Sequence, residues 1–299
     1  MNTQLWPDLT LAPWEDTRDT VHMWTQIVGK VRLALEPRLN HWWGVTLYVS
    51  ARGLTTGLMH APVGLEIEFD FIDHVLRLRT TEDQLRTVAL EPRTVASFYE
   101  ATMTALQELG VQVRILARPV EIPDAIPFAE DVRHSSYDSA AMHRCWLALL
   151  QMDRVMRVFR ARFVGKASPV HFFWGGFDLA TTRFSGRPAP PHPGGVPNCA
   201  DWVMEEAYSH EVSSCGFWPG GSEEGSFYSY AYPEPEGFRS WPVVPDSARY
   251  DAGLGEFVLP YRSVRTAADP DAVLLDFLQS TYEAAAERAG WDRVALERH

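Results

Sequence analysis

Between Lys166 and His192 the chain reads KASPVHFFWGGFDLATTRFSGRPAPPH, and between Tyr208 and Pro219 it reads YSHEVSSCGFWP. The first stretch gathers Lys166, His171, Trp174, Asp178, Arg183 and His192. The second adds His210, Glu211 and Trp218, with Tyr228 and Tyr230 just beyond. Carboxylates among aromatic side chains are desolvated, which lifts their pKa towards neutrality and suits them to general acid–base work. Asp178 and Glu211 are the candidates, with His171 or His210 as proton shuttles. Arg183, in bidentate fashion, and Lys166 would hold an anionic group. Trp174, Trp218, Tyr228 and Tyr230 would stack a planar or sugar-like ligand, with His192 beside it on the loop.

Two other readings use the same residues. His171, His192 and His210 with Glu211 or Asp178 would suit zinc or non-haem iron. No HxH, HExxH or CxxC spacing supports that set, and His210 and Glu211 point oppositely on a strand. Alternatively the pocket binds a small molecule without catalysis, its polar groups locked in pairs such as Arg183 with Asp178 or Glu211. No cofactor is expected: Gly194-Gly195 and Gly220-Gly221 form no GxGxxG or Walker pattern, and Ser213-Ser214 lacks a nucleophile elbow.

Strand alternation sorts these groups. One strand over 169–184 would put His171, Phe173, Gly175, Phe177 and Leu179 on one face, and Phe172, Trp174, Gly176, Asp178 and Ala180 on the other. His210–Trp218 and Phe227–Tyr232 read as a hairpin. Residues 187–198 hold five prolines and two glycines, a semi-rigid loop suited to a lid. Helices are expected from Asp16 or Thr17 to Leu35, from a Thr94 cap to Gly110, from Ser135 or Ser136 through Phe163, and from an Asp269 cap to Gly290. Leu65–Phe71 alternates strictly and pairs with Val75–Leu78 across Asp73-His74. Gly53–Gly64 reads as a turn and Val111–Leu116 as a strand.

The order helix, strand, loop, hairpin, helix occurs twice. A shift of 131 residues sets Trp43-Gly44 on Trp174-Gly175 and Arg52 on Arg183. The expected fold is therefore α+β: two similar αβββα halves, 1–125 and 126–299, arisen by internal duplication, with antiparallel sheets packed by helices. The candidate pocket falls in the second half.

The net charge of −12 argues against nucleic acid or an anionic membrane as the main partner. The hydrophobic share of 46% and charged share of 22% describe an ordinary globular chain. No apolar run is long enough for a membrane span, and the first residues carry no signal-peptide pattern. Three widely spaced cysteines, Cys145, Cys199 and Cys215, read as reduced thiols of a cytoplasmic protein. The expected partner is a small molecule, anionic if Arg183 and Lys166 engage it.

The run SPVHFFWGGFDLATTRFSGRPAPPH, with YSHEVSSCGFWPGG, YSYAYPEP and LPYRSVRTAADPDAVLLDFLQSTYEAAAERAGWD, resembles an uncharacterised bacterial family of unknown function, numbered 5996. NHWWGVTLYVSARGLTT and FDFIDH resemble it in the first half. The resemblance spans nearly the whole chain and implies a shared scaffold but no activity. Cys215 stands where the family pattern implies a small residue such as Ala, which counts against a thiol nucleophile there.

Overall fold

Val21, Trp24, Val28 and Val31 recur at helical spacing, and all four are fully buried on α1 (Glu15–Leu35). The helix starts after Trp14, not at an Asp16 or Thr17 cap. Trp14 makes no side-chain cap, and Glu15 and Asp16 fall in the first turn, where acids favour the helix dipole. The computed structural model describes residues 5–61 and 63–298. Residues 1–4, 62 and 299, within the two expected halves, lie outside the described residues.

A meander follows: β1 (Tyr48–Val49), β2 (Gly53–His60), β3 (Gly64–Asp70), β4 (Val75–Thr80) and β5 (Leu85–Ala89), then α2 (Val95–Glu108). Leu65, Ile67 and Phe69 face the core as their alternation requires. Thr94 caps α2 by accepting from the Ser97 amide. The expected turn over 53–64 is instead a strand. Its alternation is broken by a bulge between Thr55 and Leu58, where Gly57 has φ 65. Val111–Leu116 forms no strand; Val111 is buried but Leu116 is open to solvent.

The second half opens with α3 (Ser139–Ala161), capped by Asp138 and not by Ser135 or Ser136. Then come β6 (His171–Phe173), β7 (Asp178–Pro188), α4 (Asp201–Ala207), β8 (His210–Trp218), β9 (Ser226–Tyr232), β10 (Arg249–Asp251), β11 (Glu256–Pro260), α5 (Tyr261–Arg265), α6 (Pro270–Arg288) and α7 (Arg293–Leu296). Asp269 caps α6 with Pro270 in its first turn.

The expected strand over 169–184 folds back on itself. A tight turn at Gly175-Gly176 reverses the chain, and Phe177, not a glycine, takes the left-handed conformation there at φ 59. Phe173 then pairs with Asp178, and His171 with Ala180. Paired residues of antiparallel strands share a face. Asp178 therefore lies on the face of Phe173 and His171, not opposite it.

All strand pairs are antiparallel. The sheet orders are β1-β2-β3-β4-β5 and β10-β11-β9-β8-β7-β6. Each half thus carries more than the three strands expected of it. The two sheets meet edge to edge, where Leu47 and Phe172 exchange backbone hydrogen bonds of 2.9 and 2.7 Å. The order of strands outward from this seam is parallel in the two halves, with β10 added at the far edge of the second. Duplication as its origin is still an inference from sequence. The fold is α+β, and no helix among the described residues is long and apolar enough to cross a membrane.

Helices α3 and α6 pack on one face of the second sheet, over Leu179, Cys215, Phe217, Phe227 and Leu259. The other face carries Asp178, Thr182, Ser214, Tyr228, Tyr230 and Glu256. It is roofed by loops, and there the cavity forms.

Candidate functional site

The cavity holds about 560 Å³. Strands β7, β8, β9 and β11 make its floor. Both halves of the chain wall it: Lys30, Trp42, Trp43 and Glu121 come from the first, Trp174, Cys199 and Tyr208 from the second. The Pro-rich loop is tied over it. Glu121 N–H donates to Pro197 O at 2.8 Å, and Asn198 Nδ2 donates to Ile122 O at 2.6 Å. Trp42 Nε1 donates to Val203 O of α4 at 2.8 Å. Arg38 lies over both the Trp42 and Trp202 rings, 4.8 and 4.7 Å from their centroids.

Three wall residues hold a strained backbone: His41, Trp42 and Glu121 have φ of 54, 62 and 62. A left-handed bulky side chain costs about 1–3 kcal/mol and persists only where surrounding contacts impose it.

Four carboxyl residues line this space: Asp178, Glu121, Glu256 and Asp251, the last accepting from the Gly253 and Leu254 amides. Tyr228 donates its hydroxyl hydrogen to Asp178. Its ring passes over Gly216, where an added Cβ would lie 2.5 Å from Tyr228 Oη. Glu121 packs on Gly175, whose added Cβ would lie 2.0 Å from Glu121 Oε1. Gly176 places the pair: a Cβ there would meet Asp178 Oδ1 at 2.8 Å and Glu121 Oε2 at 3.5 Å. Both carboxyl groups therefore lie close to one point. Glu256 faces them from β11, two residues before Val258 on the same face.

Charge repulsion and desolvation act together here. Burial pushes Asp178 up to about 6, partly opposed by the Tyr228 hydrogen bond. Glu121 is open to the cavity, yet the surrounding protein desolvates it and Asp178 repels its charge, lifting it to about 7. Glu256 rises to about 7 by burial, then by the charges of Asp178 and Asp251. Tyr228 and Tyr230 are pushed well above 10, first by burial. Near pH 7 this cluster can both give and take a proton.

Of the residues singled out in the sequence, Asp178, Trp174, Trp218, Tyr228 and Tyr230 line the cavity. Lys166 stands at its wall. It donates to His41 Nε2 at 2.7 Å and lies 5.5 and 5.0 Å from the Trp43 and Phe184 ring centroids. His192 stacks behind Tyr208 at 4.7 Å, and Tyr208 shares a 2.7 Å hydroxyl contact with Tyr230. His210 meets Ser209 Oγ at 3.0 Å and lies 5.6 Å from the His41 ring.

The others lie elsewhere. Arg183 is paired with Ser213 in register, on the helix-covered face. It is 2% exposed, sandwiched by Phe159 and Tyr282 at 3.5 and 4.3 Å from their ring centroids, and it donates to Phe159 O. It pairs with neither Asp178 nor Glu211, and it offers no anion anchor to the cavity. Glu211 instead pairs with Arg187 at 2.7 Å. His171 is fully buried, without a hydrogen-bond partner among the described residues, and burial pulls its pKa down to about 3. The three histidines of the metal reading do not converge. Among the described residues, no group of three or more His, Cys, Asp or Glu could hold a metal ion.

Lys30, Glu121 and Glu256 were missed. Glu121 sits in a Pro-flanked segment with no periodicity, so its direction was illegible. Glu256 had a signal: in EFVLP, Phe257 and Leu259 take one face and leave Glu256 and Val258 the other.

Neither the curated proteins nor the solved structures give a significant match to this chain. The model of a family of unknown function, DUF5996, matches residues 6–298, nearly the whole length, and the chain belongs to that family.

Proposed function

We propose that the cavity binds a small organic molecule with an aromatic or otherwise apolar body and performs general acid–base chemistry on it. Asp178, Glu121 and Glu256 are the proton-carrying groups. The observation that carries this reading is the approach of both Asp178 and Glu121 to one point at Gly176. Two carboxyl groups around one point do not both ionise freely, so a proton is held there near neutral pH. Tyr228 holds Asp178 in place, while Glu121 is open to an incoming ligand. The acidic balance favours a neutral or cationic group at this end, which shifts the expected ligand away from an anion.

A second reading, binding without catalysis, draws on one observation: Asp178 is already paired with Tyr228. The chain's charge of −12 favours neither nucleic acid nor an anionic membrane as partner. A cytoplasmic location accords with Cys145, Cys199 and Cys215 all being free.

The test is incubation of the protein with a bacterial metabolite extract, followed by mass spectrometry. Acid–base catalysis requires a compound that the wild type converts and the folded Glu121→Gln and Asp178→Asn variants do not. A compound that binds tightly but survives unchanged supports the binding reading. Conversion that is equal in all three proteins removes Asp178 and Glu121 from the chemistry and overturns the reading.

A further inference from the structure

Of 27 basic residues only Lys30 and Lys166 are lysines. Both stand at the cavity: Lys30 lines it, and Lys166 lies over two rings that line it. Arginine stays protonated in proteins, whereas a desolvated lysine loses its proton readily and becomes a nucleophile. Everywhere else this chain uses arginine for positive charge. An amine where a guanidinium would serve for charge alone points to chemistry that needs the neutral form.

The place of Lys30 is built. Its neighbour Gly29 lies inside α1, where glycine costs about 1 kcal/mol relative to alanine. A Cβ there would lie 2.2 Å from Trp174 Cδ1, so only glycine lets the indole lie on the helix. Trp174 Nε1 donates to Val45 O at 2.8 Å, which fixes the ring. Lys30 Nζ then sits 5.7 Å from the indole centroid, and the residue is 4% exposed. Among the described residues it has no ion-pair or hydrogen-bond partner. Burial pulls its pKa down to about 8, with Cys199 opposing. Trp174 leads directly into Gly175 and Gly176, on which Glu121 packs. The amine and the acid cluster thus share one wall.

We propose that Lys30 is a carbonyl-reactive amine that forms a Schiff base with an aldehyde or ketone whose apolar body lies among the aromatic walls. The neutral Nζ attacks the carbonyl carbon; the C–N bond forms as the C=O π pair moves to oxygen, which takes a proton. Nitrogen loses a proton, the hydroxyl is protonated, the C–O bond breaks, water leaves and a protonated imine remains. This deepens the reading above, since the acid cluster supplies and recovers the protons, but the amine's reactivity can be measured without it.

The experiment treats the full chain with 4-hydroxybenzaldehyde and sodium cyanoborohydride near pH 7.5 and maps adducts by peptide mass spectrometry. Burial lowers the pKa of both lysines, but Lys30 is the more deeply buried and lacks the hydrogen bond that Lys166 gives His41, so it should be alkylated faster than Lys166 by about tenfold or more. The Lys30→Arg variant should lose that adduct while keeping its melting profile. Labelling of Lys30 no faster than Lys166 in the folded wild type overturns the proposal, and that comparison stands even if the variant does not fold. Failure here with raised carboxyl pKa values leaves the acid–base reading intact. Fast labelling with ordinary carboxyl groups removes only that reading.

Discussion

Tyr228 on β9 reaches across Gly216 of β8 to donate its hydroxyl hydrogen to Asp178 on β7. Three strands cooperate in that one bond, and the missing Cβ of the middle strand makes room for it. The bond lowers the Asp178 pKa against a larger upward push from burial. Tyr228→Phe keeps the ring and loses the donor, so Asp178 should titrate higher than in the wild type. An Asp178 resonance that titrates unchanged or lower in a carboxyl NMR titration would contradict the arrangement. Gly216→Ala should be harsher, costing about 1–3 kcal/mol through overpacking, because Leu179 O and Tyr228 Oη both lie within 2.5 Å of the new methyl position.

Arg183 was expected to grip a ligand, and its burial under α3 and α6 gives it a packing role. Its guanidinium lies against Phe159 and Tyr282 with no carboxylate partner among the described residues. Arg183→Ala should destabilise by about 2–4 kcal/mol through the cavity it leaves. Arg183→Met, which refills much of the space without a buried charge, should cost far less. Urea denaturation of the two variants checks this. Equal losses for Ala and Met would show that the charge, and not the packing, is what the site needs.

Glu256 keeps its proton to about pH 7 in the folded chain, against a usual 4.5. Between those values the native state binds more protons than the unfolded state, so this group's contribution to stability falls as pH rises and stays low above pH 7. Buried histidines such as His22, held down to about 4, act oppositely as pH falls. The informative quantity is therefore the gap between wild type and Glu256→Gln. From pH 5 to pH 8 the gap should move in the variant's favour by on the order of 1 kcal/mol after allowance for screening. Denaturation midpoints at the two pH values measure it, and a constant gap would show an ordinary carboxylate.

Much of this scaffold was legible because its elements obey simple periods. The Met142–Phe159 stripe, the Thr94 and Asp269 caps and the Leu65–Phe71 alternation each turned up where local rules put them. Strand β2 was not legible, since a bulge at Gly57 breaks its alternation, and β5 buries only Val88. The site was half legible. Trp174, Asp178, Trp218, Tyr228 and Tyr230 were found because they cluster in sequence. Asp178 was set on the face opposite His171 because the turn at Gly175-Gly176 was not foreseen, and Arg183 was expected in the pocket although it lies five residues from Asp178 on one strand and so takes the other face. Glu121 comes to Asp178 from far along the chain, and only a tertiary contact could reveal it.

The central claim is that a proton is shared near neutral pH among Asp178, Glu121 and Glu256. Carbon-13 carboxyl NMR of Asp- and Glu-labelled protein, assigned with the Asp178→Asn, Glu121→Gln and Glu256→Gln variants, measures it directly. Asp178 should titrate at about 6, and Glu121 and Glu256 at about 7. All three titrating below about pH 5, the ordinary carboxyl range, would contradict it.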